Sequence, residues 1–193
     1  FVKLTSLVEA GVGDTLGRGL IEDATGKPTL SIDSVGSFNE PKNDSLVVFH
    51  VKLSTPSAVP VTVMFQTVSG KATVGKDLSD TTGTLTFAIG ETSKDLPIHV
   101  FADAFDEEAS EDFTVKLDNA SGAGITHKTG LGVILDDDPS PTISVFDDTI
   151  AEPAKAGDVD SAALLVRLSA PSNLVVSVAI AADGQYTYTL NNP

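Results

Sequence analysis

The chain has no cysteine, no tryptophan, one methionine and two tyrosines in 193 residues. Without cysteine it can form no disulfide, no catalytic thiolate and no cysteine-ligated zinc site. The three histidines, His50, His99 and His127, fall on separate segments, so a serine-histidine-aspartate triad has no support. Residues 28–138 contain neither Trp nor Tyr to form a sugar-binding platform beside a carboxylate pair, which argues against a glycosidase. We therefore predict that this chain is not an enzyme.

Basic residues are also scarce. Twelve Lys and Arg stand against 27 Asp and Glu, which gives a formal net charge of −15. Nucleic acids and anionic membranes attract basic surfaces, so we expect neither as a partner. No apolar run approaches the roughly 18 residues that a membrane-spanning helix needs, and we predict no insertion into a membrane. Such an acidic surface suits a salty or calcium-containing medium.

An internal repeat organises the chain. Residues 2–32 match residues 115–145 without a gap, and 12 of the 31 pairs are identical. One fixed period across strands, glycines and a linker proline is typical of a tandem domain array. The period predicts the end of one unit at 1–24, a complete unit at 28–138 and the opening of a third at 141–193. Whether 181–193 still belongs to the third unit stays open, because its Tyr-rich sequence departs from the repeat.

The complete unit shows the alternation of strands. Apolar and polar residues alternate in short runs that Gly, Pro, Ser and Asn interrupt, and no stretch has a helical period. This pattern predicts an all-β fold, an immunoglobulin-like seven-stranded β-sandwich repeated along a tandem array. The predicted strands are 29–35, 45–54, 59–68, 83–88, 93–102, 112–118 and 128–135.

Acidic residues concentrate at one end of the predicted sandwich. If successive strands run up and down, the ends of the first, third, fifth and seventh strands meet at one end, here called the acidic pole. Thirteen of the 17 acids in 28–138 fall there. Close carboxylate pairs repel by roughly 1 to 3 kcal/mol each, and a hard divalent cation such as Ca²⁺ would offset this repulsion. The alternative is a solvated acidic face without an ion.

Several segments together resemble a known family. They are 47–54 (VVFHVKLS), 61–67 (VTVMFQT), 72–77 (ATVGKD), 83–94 (GTLTFAIGETSK), 106–117 (DEEASEDFTVKL) and 130–138 (GLGVILDDD). In this combination they resemble the Calx-beta repeat of sodium/calcium exchangers and of many bacterial surface and secreted proteins. The resemblance covers nearly all of 28–138.

The resemblance implies a Ca²⁺ site at the tip of the sandwich, beside the next domain. The loop before Phe113 is one residue longer than the family pattern, which leaves open which of Asp106, Glu107 and Glu108 coordinates the ion. The implied metal ligands are Glu40, Asp77, Asp103, Asp106, Glu108, Glu111, Asp136, Asp137 and Asp138.

These observations favour a non-catalytic calcium-binding repeat of an extracellular or cell-surface protein, in which Ca²⁺ stiffens the joint between neighbouring repeats. The expected partners are calcium ions, adjacent repeats of the same chain and a possible protein or glycan adhesion ligand. Two alternatives stay open. The unit could be a calcium-sensing regulatory domain of a membrane transporter, or an accessory module of a secreted enzyme.

Overall fold

The computed structural model describes residues 2–3, 16–19, 26–149, 151, 155 and 163–180. Within these residues no helix is long and apolar enough to cross a membrane. The described strands are β1 (Val2–Lys3), β2 (Leu16–Gly17), β3 (Thr29–Ile32), β4 (Gly36–Asn39), β5 (Ser45–Leu53), β6 (Val61–Ser69), β7 (Thr82–Phe87), β8 (Ser93–Val100), β9 (Glu111–Ser121), β10 (Gly124–His127), β11 (Thr129–Leu135), β12 (Ile143–Phe146) and β13 (Leu165–Leu168).

Strands β3 to β11 form two sheets in a sandwich-like arrangement. One sheet has the order β10-β3-β5-β8, and the other has the order β4-β11-β9-β6-β7. All pairs are antiparallel except β10 with β3 and β11 with β4. The all-β fold predicted from the alternating pattern is confirmed.

The core lies between the two sheets and follows the predicted alternation. Three phenylalanines are fully buried, and the ring centroids of Phe49 and Phe113 are 5.9 Å apart in an edge-to-face contact. Every residue that the alternation points inward is buried in this core or packs against it. These residues are Leu30, Ile32, Val47, Phe49, Val51, Leu53, Val61, Val63, Phe65, Leu85, Phe87, Ile98, Val100, Phe113, Val115 and Leu117.

Residues 29–135 contain nine strands where the sequence predicts seven, because two short strands, β4 and β10, lie outside the predicted ranges. The first predicted strand, 29–35, ends early as β3, and the chain then joins the other sheet as β4, beyond the predicted range. Gly36 has a φ of 75° at the start of β4, a backbone conformation that suits glycine. The last predicted strand, 128–135, corresponds to β11, which pairs with β9, and the additional strand β10 before it pairs with β3 in the other sheet. Each end of the complete unit thus contributes one strand to either sheet.

Hydrogen-bond pairing at the N-terminal end repeats that of the complete unit. Strand β1 pairs antiparallel with β2 so that Val2 faces Gly17. Strand β9 pairs with β11 so that Val115 faces Gly130, which are the residues that the sequence repeat aligns. The remainder of the predicted 1–24 segment lies largely outside the described residues.

The C-terminal end repeats the opening of the complete unit. The Thr29 amide donates to Ser54 Oγ at 2.9 Å, and the Ser54 amide donates to the Thr29 carbonyl at 2.9 Å. The same two hydrogen bonds join Thr142 and Ser169, at 2.8 and 2.9 Å. The start of β12 is therefore joined to the end of β13 as the start of β3 is joined to the end of β5, while 181–193 lies outside the described residues.

Candidate metal centre

Carboxylates from the ends of separate strands meet at the acidic pole. Glu40 follows β4, Asp103 follows β8 and Asp138 follows β11, and a carboxylate oxygen of each lies within 4.8 Å of the others. Asp77, Asp103 and Glu107 form a second group with the same spacing. Because Asp103 belongs to both, the two groups form one continuous cluster, here called the carboxylate cluster.

The turn after β6 places Asp77. Ala72 and Leu78 at either end of this turn are fully buried, so the core anchors both sides. Gly75 has a φ of 91° and lets the backbone reverse within a few residues. The Asp77 Oδ2 atom accepts the Thr73 amide at 2.6 Å, which fixes the carboxylate at the edge of the cluster. The Ala-Thr-x-Gly-x-Asp motif therefore presents an acid.

Glu40 is the most deeply placed member of the cluster, with only 9% of its surface exposed. Its amide donates to the Leu135 carbonyl at 2.8 Å, where β4 and β11 end together. Its Oε1 atom accepts the Asp103 amide at 3.2 Å, while Asp103 Oδ1 accepts the Phe105 amide at 2.9 Å. These backbone contacts order the start of the β8–β9 loop, residues 101–110, around the two carboxylates.

Asp136 joins the β8–β9 loop to the acidic run that follows β11. One of its carboxylate oxygens accepts the Glu107 amide at 3.4 Å, and the other accepts the Asp138 amide at 3.3 Å. Amide donors stabilise a charged carboxylate. Asp136 thus holds the two loops together without belonging to either three-carboxylate group.

The cluster has little positive charge to balance it. Among the described residues, no Lys, Arg or His lies within ion-pair distance of Glu40, Asp77, Asp103, Glu107 or Asp138. In the part of the chain that the structure describes, the cations His50, Lys52, Lys71, Lys94 and Lys116 form salt bridges, and each pairs with an acid outside the cluster. Charge of one sign therefore accumulates at the pole.

The crowding shows in the pKa values. Burial raises the pKa of Glu40 to about 7, and the charges of Asp103, Asp138 and Glu107 act in the same direction against the opposing Asp103 amide. Burial also raises the pKa of Glu111 to about 7, with further contributions from its acidic neighbours. The pKa values of Glu107 and Asp138 rise for the same two reasons. Ionised oxygens packed this way favour protons or a cation.

The remaining predicted ligands lie around the cluster in different roles. Glu111 feels the charge of Glu107 and Asp77 but lies outside both three-carboxylate groups. Glu108 forms an exposed ion pair with Lys71 at 2.7 Å. Asp137 contributes to the charge felt by Asp138.

Asp106 lies outside both three-carboxylate groups. Its carboxylate accepts hydrogen bonds from the hydroxyls of Ser140 and Ser172. Of the three loop acids between which the sequence could not choose, Glu107 is the one in the cluster. The sequence offers no signal for this choice, because the side-chain directions depend on contacts with residues 140 and 172.

The Phe-x-x-Gly-Glu-Thr segment, residues 87–92, forms a turn at the other end of the sandwich. Gly90 has a φ of 81°, and the Glu91 carboxylate accepts the Ala88 amide and the Lys94 ammonium, each at 2.8 Å. The Lys94 hydrogen bond is the main reason that the pKa of Glu91 is lowered. This motif therefore has a structural role and takes no part in the cluster.

The donor chemistry of the cluster fits a hard cation. Every side-chain donor in the two groups is a carboxylate oxygen, and the donors come from loops that follow several strands. Ca²⁺ takes six to eight oxygen ligands in flexible geometry, whereas zinc sites commonly use nitrogen or sulfur. The residues present thus fit Ca²⁺ better than a transition metal.

Comparison with known proteins gives a consistent result. The family model described as the Calx-beta domain matches residues 37–138, while no curated protein matches the chain. The solved structure of the apo-form Calx CBD1 domain is 23% identical over 58% of this chain and 100% of that chain, with a TM-score of 0.51.

Two longer structures are also similar. CBD12 from CALX1.2 is 22% identical over 62% of this chain and 49% of that chain, with a TM-score of 0.52. The calcium binding domain CBD12 of CALX1.1 is 25% identical over 56% of this chain and 44% of that chain, with a TM-score of 0.51. The chain thus spans about half the length of these two relatives or less. The family match, covering more than half of this chain and agreeing with the sandwich and its motifs, shows that the chain belongs to the Calx-beta domain family.

Proposed function

We propose that residues 28–138 form a calcium-binding domain whose ion site is the carboxylate cluster. The observation that carries the proposal is the meeting of carboxylates from separate loops, with no described Lys, Arg or His within ion-pair distance of the five cluster acids. The raised pKa of the buried Glu40 supports it, because a carboxylate that is costly to ionise gains most from a bound cation. The relative of known structure that is named a calcium binding domain also supports it.

The proposal gives the acids of the pole different roles. Because Asp103 is shared, its carboxylate could bridge two neighbouring ions, one beside Glu40 and Asp138 and the other beside Asp77 and Glu107. Asp136 and Glu111 would complete the oxygen shell from the side. Of the remaining predicted ligands, Glu108 and Asp137 would act through their charge, and Asp106 lies outside both three-carboxylate groups.

We further propose that the domain is one unit of a tandem array of immunoglobulin-like sandwiches in an extracellular or cell-surface protein. The paired hydrogen bonds at Thr29–Ser54 and Thr142–Ser169 support the array. Asp138 lies in the linker that leads to Pro141, so an ion bound there would stiffen the joint between units. An adhesion ligand remains part of this proposal.

The alternative is a calcium-sensing regulatory domain of a membrane transporter, in which the same carboxylate cluster would bind the ion. Affinity separates the two functions. Extracellular calcium modules bind with dissociation constants of roughly 10⁻⁴ to 10⁻³ M, and sensors bind at roughly 10⁻⁷ to 10⁻⁵ M. Calorimetric titration of the 193-residue chain with Ca²⁺ therefore tests whether the site binds the ion and which of the two functions its affinity fits.

Asp103→Asn is the decisive variant because it removes the shared charge and keeps an oxygen for the Phe105 amide. Asp80→Asn is the matched control, since it makes the same charge change on an exposed residue outside both groups. We expect Asp103→Asn to abolish measurable Ca²⁺ binding and Asp80→Asn to retain it. Equal affinity in the two variants would refute the proposed site.

A further inference from the structure

Asp106 lies outside the carboxylate cluster, and it is almost completely buried, with 6% of its surface exposed. Its Oδ1 atom accepts the Ser140 hydroxyl at 2.8 Å, and its Oδ2 atom accepts the Ser172 hydroxyl at 2.7 Å. Ser140 lies in the linker after β11, and Ser172 lies just after β13. Both carboxylate oxygens are thus occupied by the segment that follows the complete domain.

The backbone makes the same connection. The Asn173 amide donates to the Asp106 carbonyl at 3.0 Å, and the Asp106 amide donates to the Pro171 carbonyl at 3.4 Å. These contacts form a parallel β-bridge between Asp106 and Ser172. The Asn173 side-chain amide donates to the Glu107 carboxylate. The β8–β9 loop and the turn after β13 are therefore joined by main chain and side chains together.

We propose that Asp106, Ser140 and Ser172 form a serine clasp that docks the turn at 171–173 onto the β8–β9 loop. Asp106 is then a positioning residue for the following unit and not an ion ligand. Its burial requires both hydroxyl donors, since a buried carboxylate that loses a donor is strongly disfavoured. Two consecutive residues therefore have different roles. Asp106 contacts the following segment, and Glu107 belongs to the carboxylate cluster.

The corresponding turn in the complete domain offers an internal comparison. Ser57 occupies the place of Ser172, and each hydroxyl accepts the amide two residues later, at 3.2 Å from Val59 and 3.1 Å from Leu174. The neighbouring positions differ, since Ala58 stands where the later turn has Asn173, and the sequence repeat aligns Lys27 with Ser140. The full set of clasp residues is therefore present only at the downstream joint.

This difference supplies a matched pair of variants in the 193-residue chain. Ser172→Ala removes a clasp donor and a local turn hydrogen bond, whereas Ser57→Ala removes only the equivalent local hydrogen bond. Hydrogen exchange at the Asn173 amide, measured by NMR, reports the joint directly, because its acceptor is the Asp106 carbonyl. Neither variant changes charge or touches the carboxylate cluster.

We expect the Asn173 amide to exchange at least about tenfold faster in Ser172→Ala than in the unsubstituted chain, and at an unchanged rate in Ser57→Ala. A second measurement separates the clasp from ion coordination, since Ser172→Ala should retain the Ca²⁺ affinity of the unsubstituted chain. Unchanged exchange in Ser172→Ala would overturn the clasp, as would equal acceleration in Ser57→Ala. A loss of Ca²⁺ affinity in Ser172→Ala would show that this contact belongs to the ion site.

Discussion

At the scale of single residues, the environment of Glu40 is difficult to explain if the acidic pole binds no metal ion. It is 9% exposed and approached by other acids, with a single amide hydrogen bond from Asp103 to offset them. A purely solvated acid would keep its charge in water at little cost. The packing around Glu40 therefore distinguishes the carboxylate cluster from the alternative of a plain acidic face.

The sequence anticipated these acids at strand ends, but it could not choose among Asp106, Glu107 and Glu108. Strand alternation determines which pole a loop reaches and says little about side-chain directions within the loop. Those directions depend on partners distant in sequence, namely Ser172 for Asp106 and Lys71 for Glu108. The nine-residue ligand set implied by the family resemblance remains a prediction.

The first prediction compares two adjacent acids of the β8–β9 loop, Glu107 and Glu108. Glu107→Gln should weaken Ca²⁺ binding by about tenfold or more, because it removes a carboxylate charge from the cluster. Glu108→Gln makes the same charge change on a residue already paired with Lys71, and we expect a reduction of less than about threefold. Calorimetric titration measures both variants. A larger loss in Glu108→Gln than in Glu107→Gln would contradict the assigned roles.

The second prediction concerns pH in the absence of calcium. Folding raises the pKa values of Glu40 and Glu111 from 4.5 to about 7, so between these values the folded chain holds more protons than the unfolded chain. The free energy of unfolding must therefore fall as pH rises from about 4.5 to about 7. Melting temperatures in chelator should decrease across this window, and saturating Ca²⁺ should reverse the trend.

Glu40→Gln supplies the control for the pH effect. This variant removes one titrating group while keeping a similar shape, so its melting temperature in chelator should vary less with pH than that of the unsubstituted chain. If the two proteins gave parallel melting profiles between pH 4.5 and 7, the pH dependence would have to come from other groups.

At the scale of secondary-structure elements, the two sheets approach each other closely at β11. A Cβ atom on Gly130 would lie 2.8 Å from the Asp33 carbonyl oxygen and 2.9 Å from the Phe49 ring. The alternating pattern predicted a strand here. The glycines of β11 lie where neighbouring backbone and aromatic rings come close. The short strands β4 and β10 were not visible in that pattern, because their residues are mostly exposed and carry no apolar alternation.

The third prediction tests this packing. Gly130→Ala should lower the free energy of unfolding by about 1 to 3 kcal/mol through overpacking, which corresponds to a fall in melting temperature of roughly 4 to 8 °C per kcal/mol. Gly124→Ala is the control, since its nearest neighbour is the Thr29 Cγ2 atom at 3.9 Å. Equal melting temperatures for the two variants would argue against the close contact between β11 and the opposite sheet.

At the scale of the whole molecule, the acidic pole and the following segment form one joint. The β8–β9 loop contributes Asp103 and Glu107 to the carboxylate cluster and Asp106 to the serine clasp. The internal repeat indicated where this joint lies, at the linker before Pro141. It could not indicate the clasp, because Ser140 has no counterpart in the aligned linker, where Lys27 stands.

The fourth prediction concerns the joint as a unit. A ligand at 100 times its dissociation constant stabilises the folded state by about 2.7 kcal/mol, so chelation should lower the melting temperature by roughly 10 °C for a single site. Chelation should also broaden the distance distribution from small-angle X-ray scattering, because repelling carboxylates lie beside the linker. Identical scattering with calcium and with chelator would show that the ion does not stiffen the joint.

The most direct measurement is a crystal structure of the 193-residue chain grown with calcium, with anomalous difference density used to locate the ion. The carboxylate cluster predicts a calcium peak at about 2.3 to 2.6 Å from an Asp103 carboxylate oxygen. Further ligands to that peak should come from Glu40 and Asp138, from Asp77 and Glu107, or from both groups. Anomalous density confined to other parts of the surface, or none at millimolar calcium, would contradict the account.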